Sequence, residues 1–213
     1  IGRKVVRDES LAAARAALPN QLAKELSRIH GITPESNPEL VDVLGPAPAE
    51  PAHGVLVTAR EALDADPHGR PGLEYALRWL EAHQPSSEVC LVHGDFRTGN
   101  FLVTPEGLSA VLDWEFAHWG SPAEDLAWLC VRDWRFGNLK LPVGGFARRE
   151  VFLSAYQAAS GRDLDPSVLH YWEVAGNVRW AAGCLQQGRR YLAGEKDLEL
   201  LAISRRAIEM EYE

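Results

Sequence analysis

Two short segments near the middle of the chain contain side chains that could perform chemistry together. Residues 93–100 read HGDFRTGN and residues 113–115 read DWE. A carboxylate such as Asp95 can accept the proton of an attacking hydroxyl. The amide oxygen of Asn100 and the carboxylate of Asp113 are hard oxygen ligands that suit magnesium. Transfer of a phosphoryl group from a nucleotide to a hydroxyl needs these groups, because the charge on the phosphates must be neutralised as transfer proceeds.

The spacing of these residues agrees with that chemistry. Four residues separate Asp95 from Asn100, so the loop can turn back and bring the two side chains together. Short apolar runs at 101–103 and 109–112, separated by a Pro-Glu-Gly sequence, predict a small hairpin. That hairpin would place Asp113 beside the loop. An H-x-D-x-x-x-x-N loop followed by a strand-borne aspartate is the catalytic-loop pattern of protein kinases.

The stretch from Leu91 to Trp128 resembles the aminoglycoside-phosphotransferase family, also called the choline-kinase-like phosphotransferases. It reads LVHGDFRTGNFLVTPEGLSAVLDWEFAHWGSPAEDLAW. The family has H-G-D in place of the kinase H-R-D, D-W-E in place of D-F-G, and a G-x-P-x-x-D-L-A segment, here residues 120–127. Weaker similarity extends into residues 26–30 and 171–183. The resemblance implies a kinase-like two-lobed fold, ATP or GTP as phosphoryl donor, Mg2+ as metal, and a small hydroxylated acceptor.

The resemblance also implies a role for five residues. Asp95 matches the catalytic base, while Asn100 and Asp113 match the magnesium ligands. His93 matches the loop histidine, whose role is to brace the catalytic loop. Asp125 matches a buried aspartate that holds the same loop by hydrogen bonds. We therefore expect Asp125 to be buried, because a carboxylate in an apolar setting needs hydrogen-bond partners.

Other side chains near these motifs have open roles. Arg97 could contact the transferred phosphate or an acidic substrate, or it could point to solvent. Glu115 could help to hold a metal or the acceptor, although a polar residue at a strand end is the commoner explanation. Trp172, Asn177 and Trp180 on one predicted helix could line the acceptor pocket or pack in the core. As a pocket wall they would suit an apolar or acyl-bearing alcohol.

Two rival classes of function stay open. One is a catalytically silent binding module with a kinase-like lobe. The other is a metal-dependent hydrolase that uses His93 and the aspartates, although a zinc site would want a third nitrogen or sulfur ligand. The leading interpretation is an enzyme, a phosphotransferase with an alcohol group as acceptor.

The elements that must position these residues are mostly helices. Apolar residues at helical spacing predict helices over the following segments: 8–30, 55–66, 73–83, 122–134, 147–160, 166–188 and 195–211. Asp8 or Ser10 can cap the first. Five prolines between Gly31 and Pro51 predict a long loop. The apolar run 88–92 and the hairpin supply the only strands. The predicted fold class is α+β, mostly helical: a protein-kinase-like C-terminal lobe with a small β-hairpin that carries the catalytic loop.

A complete kinase also needs an amino-terminal β lobe, with a phosphate-covering loop and a strand lysine paired to a helix glutamate. Lys4 is the only lysine before Lys24, and no Gly-rich loop precedes it. We therefore expect residues 1–213 to be the lobe that carries the catalytic loop, without the N-terminal lobe that binds the nucleotide. On this expectation the intact protein is the kinase and the fragment alone does not turn over.

Composition restricts the partners. The net charge of −8 argues against a nucleic-acid partner, because its phosphates bind to a positively charged surface. The sequence has no run of about 18 apolar residues that could span a membrane. The three cysteines, Cys90, Cys130 and Cys184, form no CxxC pair and fit buried thiols in a reducing cytosol. We expect a cytoplasmic protein whose partner is a small molecule.

Overall fold

The computed structural model describes residues 2–212. The helices are α1 (Gly2–Arg7), α2 (Ala12–Ile29), α3 (Val41–Leu44), α4 (His53–Asp64), α5 (Pro71–Ala82), α6 (Pro122–Trp128), α7 (Arg149–Ser160), α8 (Pro166–Leu192), α9 (Leu198–Ser204) and α10 (Arg206–Glu211). The strands are β1 (Cys90–Val92), β2 (Phe101–Thr104), β3 (Gly107–Val111) and β4 (His118–Gly120). The chain divides into two compact units. The first comprises the residues up to Pro51 together with Ser87–Trp172, and the second comprises Ala52–Ser86 together with the residues from Glu173 onward.

Helix α2 organises the core of the first unit. Leu18, Leu22 and Leu26 follow helical spacing and are fully buried, and α2 packs against α7 and β3. Burying each of these side chains contributes roughly 1.5–3 kcal/mol. The predicted helix over 8–30 starts later than expected. Its first residues form a 3-10 turn instead, because the Asp8 carboxylate accepts the Ser10 N–H at 2.9 Å and caps that turn.

The strands form two separate antiparallel pairs in the first unit. β2 pairs with β3, with Phe101 opposite Val111, which is the hairpin predicted from the Pro-Glu-Gly turn. β1 pairs with β4, with Leu91 opposite Trp119. β4 was not predicted, because three residues that end in a glycine show no alternation of apolar and polar side chains. Its pairing holds the segment after the D-W-E motif against the strand that precedes the catalytic loop.

The helix predicted over 122–134 ends at Trp128. The carbonyl of Leu129 accepts the N–H of Gly144 at 3.1 Å, and the carbonyl of Cys130 accepts the Arg135 guanidinium at 2.7 Å. Both carbonyls therefore accept from partners that do not belong to α6. The chain continues as a 3-10 helix over Arg132–Arg135.

Two further boundaries differ from the sequence prediction. The segment predicted as a loop from Gly31 to Pro51 contains a 3-10 helix, Pro38–Leu40, and the short helix α3. Gly45 ends α3 with a φ of 78°, and its carbonyl accepts the indole N–H of Trp119 at 3.0 Å. The helix predicted over 195–211 is divided at Arg205 into α9 and α10.

The second unit is helical. Arg60 on α4 pairs with Glu74 and Glu81 on α5, at 2.5 and 3.0 Å. The apolar face of α5 that was predicted from Leu73, Leu77 and Leu80 is buried. Arg189 on α8 donates to the carbonyl of Ala62 at 2.8 Å, which ties α8 to α4. These contacts make α4, α5 and the end of α8 one packed group.

Within residues 2–212, no helix has both the length and the apolar character needed to cross a membrane. The three cysteines are buried, as the sequence predicted, and they form no disulfide within residues 2–212. Burial raises the pKa of the Cys90 thiol well above its usual range. This thiol therefore stays protonated and packs as a small apolar side chain.

Candidate active site

The loop over residues 93–100 joins β1 to β2 and is closely packed. Gly94 has a φ of 77°, and a Cβ atom at this position would run into the carbonyl oxygen of Phe116. Only glycine fits there. The Thr98 hydroxyl donates to the carbonyl of Gly144 at 3.0 Å. The loop is therefore fixed from two sides, so its side chains have defined positions.

Asp95 lies at the centre of this loop and is 7% exposed. Its carboxylate accepts hydrogen bonds from three side chains. Asn100 Nδ2 donates to Oδ2 at 2.7 Å and Trp128 Nε1 donates to Oδ1 at 2.7 Å. Arg97 Nε lies 3.0 Å from both oxygens. Trp128 was not predicted from the sequence, although its place three residues after Asp125 on α6 puts both side chains on one helix face.

The amide of Asn100 has a defined orientation. Nδ2 donates to the main-chain carbonyl of Asp95 at 3.0 Å as well as to its carboxylate. A carbonyl can only accept, so the nitrogen must face Asp95. The amide oxygen Oδ1 makes no hydrogen bond to any residue in 2–212, so it has the lone pairs that a cation would need.

Asp113 directly follows Leu112, which forms hydrogen bonds with both ends of the loop over 93–100. Leu112 donates its N–H to the carbonyl of Asn100 at 2.8 Å, and its carbonyl accepts His93 Nε2 at 2.9 Å. Asp113 has a φ of 68°, a left-handed conformation that costs a non-glycine residue roughly 1–3 kcal/mol. Its carboxylate is exposed and bonds to no residue in the described range 2–212. Asn100 and Asp113 thus offer free hard oxygen atoms beside one loop, a donor set that fits magnesium.

His93 connects Asp95 to Leu112, the residue that precedes Asp113. Its Nδ1 accepts the main-chain N–H of Asp95 at 3.1 Å, so Nε2 carries the proton that bonds to Leu112. The imidazole is therefore the neutral Nε2–H tautomer. The ring also packs against Trp114, with 4.6 Å between ring centroids. These contacts supply the geometry that the expected bracing role needs.

Asp125 is fully buried behind the loop. Its Oδ2 accepts the main-chain N–H of His93 at 2.7 Å, and its Oδ1 accepts that of Gly94 at 2.9 Å. Burial alone would raise the pKa of this carboxyl, but hydrogen bonds from His30 and from His93 hold the pKa below its usual value. Asp125 is therefore an ionised group at neutral pH that accepts from the loop backbone.

The charge on Asp125 fixes a second buried histidine. His30 Nε2 lies 3.3 Å from Asp125 Oδ2, and since a carboxylate only accepts, Nε2 must be the donor. Nδ1 forms a hydrogen bond with the Tyr156 hydroxyl at 2.7 Å. Burial raises the pKa of Tyr156, which keeps this hydroxyl protonated. His30 had no predicted chemical role, and in the structure it is a buried, hydrogen-bonded core group that links α7 to α6.

The remaining predicted site residues are distributed as follows. Arg97 is paired with Asp95, and Glu115 is exposed and makes no hydrogen bond within residues 2–212. Trp172 is buried in the first unit, and its indole N–H has no hydrogen-bond partner in the described range. Asn177 and Trp180 lie on the part of α8 that belongs to the second unit. Their expected contact with an acceptor stays a prediction.

The hydrolase alternative required a set of metal-binding side chains. Within the described part of the chain, no group of three or more histidine, cysteine, aspartate or glutamate side chains is placed to hold a metal ion. A zinc-type ligand set is thus missing from residues 2–212. The pair of oxygen ligands beside the catalytic loop differs in kind, because magnesium also binds waters and substrate phosphates.

The chain is similar in sequence or in fold to several known proteins. The chain is 27% identical over 224 residues to mouse acyl-CoA dehydrogenase family member 11. The aligned region covers 92% of this chain and 27% of the mouse protein. A Ralstonia eutropha structure provisionally assigned as an aminoglycoside phosphotransferase has a TM-score of 0.79 at 20% identity, over 97% of this chain and 67% of that one. The GDP complex of aminoglycoside 2'-phosphotransferase-IIIa has a TM-score of 0.62 at 15% identity, over 99% and 65%.

At these identities the structural likeness concerns the fold, which is the kinase-like phosphotransferase fold predicted from the sequence. The chain spans about a quarter of the length of the mouse relative. The family model described as the phosphotransferase enzyme family matches residues 2–165, so the resemblance seen in the sequence is confirmed and the chain belongs to that family.

Proposed function

We propose that the protein transfers a phosphoryl group from a magnesium-bound nucleotide, ATP or GTP, to a hydroxyl group of a small-molecule acceptor. The observation that carries this proposal is the arrangement around Asp95. A buried carboxylate is oriented by side chains from its own loop and from α6, and free oxygen ligands on Asn100 and Asp113 lie next to the same loop. The proposal places the reaction in the cytoplasm.

In this proposal Asp95 orients the acceptor hydroxyl and accepts its proton as the oxygen attacks the terminal phosphorus. Asn100 and Asp113 would hold magnesium, which when bound neutralises charge on the phosphates. His93 and Asp125 keep the loop in place through the backbone bonds described above. The protein thus contributes mainly position and electrostatic stabilisation, which are the main contributions in phosphoryl transfer.

The donor and the acceptor are supported by different observations. A nucleotide donor is supported by the similarity to a phosphotransferase whose structure contains GDP. An alcohol acceptor is supported by the family match and by a Plasmodium vivax ethanolamine kinase of the same fold, with a TM-score of 0.60. These relatives act on different acceptors, so the proposal names the reacting group, a hydroxyl, and not one compound.

Two variants of the intact protein test the roles. Asp95→Asn should lower transfer by about 10²–10⁴-fold, the usual contribution of a general base, with the affinity for the magnesium–nucleotide complex nearly unchanged. Asp113→Ala should lower both turnover and that affinity. A loss confined to the transition state lowers kcat and kcat/KM together, whereas loss of a ground-state contact also raises KM.

Calorimetric titration measures the affinity for the magnesium–nucleotide complex. Release of nucleoside diphosphate, with a panel of small alcohols as acceptors, measures turnover. Glu106→Ala is the control, because Glu106 is an exposed carboxylate at the β2–β3 turn. Equal loss of nucleotide affinity in both aspartate variants would show that the roles are assigned wrongly. Nucleotide binding without turnover on any alcohol would favour a catalytically silent binding module.

A further inference from the structure

The lone pairs of the proposed base are all occupied in this structure. A carboxylate offers about four lone-pair sites. On Asp95, Trp128 takes one on Oδ1 and Asn100 takes one on Oδ2. The single N–H of Arg97 Nε lies 3.0 Å from both oxygens, so it must sit between them and cover the two inner lone pairs. An acceptor hydroxyl can bind to Asp95 only if one of these donors leaves.

Arg97 is the donor best able to leave. The indole of Trp128 is 4% exposed on α6, and Asn100 is 5% exposed and also bonded to the main-chain carbonyl of Asp95. The Arg97 side chain is 26% exposed. Its two terminal amino groups have no hydrogen-bond partner within residues 2–212. The only side-chain hydrogen bond that breaks when Arg97 moves, among residues 2–212, is therefore the one shared by the two oxygens of Asp95.

Arg97 nevertheless has a defined resting place. Its guanidinium carbon lies 4.6 Å from the ring centroid of Trp134, and the ring of Trp134 packs against that of Trp128 with 5.5 Å between centroids. A guanidinium over an indole face gains about 0.5–1 kcal/mol where it is exposed. The guanidinium thus contacts the Asp95 carboxylate with its edge and the ring of Trp134 with its face.

We propose that Arg97 occupies the place of the acceptor hydroxyl on Asp95 when no acceptor is bound, and thereby prevents Asp95 from activating water. This inference rests on the proposed function. Without the guanidinium, a water molecule could donate to Asp95 and attack the terminal phosphorus. The bond between that phosphorus and the bridging oxygen would break, the proton of the water would pass to Asp95, and nucleoside diphosphate and inorganic phosphate would leave. An acceptor hydroxyl that fits the site displaces Arg97 and enters the same position.

The test measures magnesium-dependent hydrolysis of ATP and of GTP by the intact protein with no acceptor present. Arg97→Ala and Arg97→Met both remove the donor, and the methionine variant keeps an apolar chain over Trp134 if the alanine variant does not fold. Each should hydrolyse nucleotide about tenfold faster than the parent, a part of what a general base contributes. Arg28→Ala is the matched control, because Arg28 forms an exposed ion pair with Glu25 on α2. Its hydrolysis rate should equal that of the parent.

The double variant Asp95→Asn/Arg97→Met tests whether the faster nucleotide hydrolysis depends on the carboxylate of Asp95. The added hydrolysis should disappear, because no carboxylate remains to accept the proton of water. Hydrolysis by both single Arg97 variants at or below the parental rate would overturn the inference, and a decrease would make Arg97 a phosphate contact. If Asp95→Asn and Asp113→Ala act as proposed while the Arg97 variants show no gain, only the inference about Arg97 fails. If those aspartate variants change neither nucleotide binding nor turnover, the proposed function itself fails.

Discussion

Replacing Asp125 by asparagine keeps the shape of the side chain and removes its charge. The two carboxylate oxygens accept from different backbone groups, Oδ1 from Gly94 at 2.9 Å and Oδ2 from His93 at 2.7 Å. An amide has one oxygen and one NH2 group, so in either orientation the NH2 group faces a backbone N–H. One buried N–H of the catalytic loop therefore loses its acceptor.

The expected loss follows from these bonds. A buried donor left without an acceptor costs about 1–3 kcal/mol, and the remaining bonds become weaker because the acceptor is no longer charged. Together these effects should lower the free energy of unfolding by about 2–4 kcal/mol at neutral pH. Because the affected N–H groups flank Asp95, turnover of the intact protein should fall as well.

The pH dependence of this loss has a definite sign. The pKa of Asp125 is lowered in the folded state, so its stabilising effect is complete above the unfolded pKa of about 3.9 and is lost as pH falls through the folded pKa. The asparagine does not titrate. The difference in unfolding free energy between parent and variant should therefore be constant from neutral pH to about pH 5 and become smaller below about pH 4.

Urea unfolding followed by tryptophan fluorescence at several pH values measures this difference. Asp66→Asn is a suitable control, since Asp66 is a largely buried aspartate of the second unit that accepts from Arg70 and from the His68 N–H. It should cost stability without affecting turnover. An Asp125→Asn variant within about 0.5 kcal/mol of the parent at neutral pH, the range of ordinary surface substitutions, would refute the bracing argument.

Three further substitutions have defined expectations. Tyr156→Phe removes the hydroxyl that forms a hydrogen bond with the buried His30 and should lower the free energy of unfolding by about 1–3 kcal/mol, measured by urea unfolding. Gly94→Ala should destabilise the protein far more than Gly161→Ala, because both glycines have positive φ but only the first has a backbone oxygen in the way of a Cβ; thermal unfolding of the two variants compares them. Trp128→Phe removes an indole N–H from the carboxylate of Asp95, the proposed base, and should lower kcat about tenfold with nucleotide affinity unchanged, which steady-state kinetics and calorimetry together measure.

The sequence by itself determined the parts of this protein that depend on neighbouring residues. The loop over 93–100 and the D-W-E motif predicted which side chains could act as base and metal ligands. The Pro-Glu-Gly turn predicted the pairing of β2 with β3, and the leucines of α2 predicted its buried face. Each of these features is set by spacing or by backbone conformation over a few residues, and such signals can be read directly in the order of amino acids.

Tertiary structure decided the contacts between residues that are far apart in the chain. The bond between Trp128 and Asp95 and the bond between His30 and Asp125 join residues separated by 33 and 95 positions. No period in the sequence marks such pairs, because they form where packing brings two elements together and a buried polar group must find its partners among the neighbours that packing supplies. For the same reason the pairing of β1 with β4 and the end of α6 were decided only when the chain had folded.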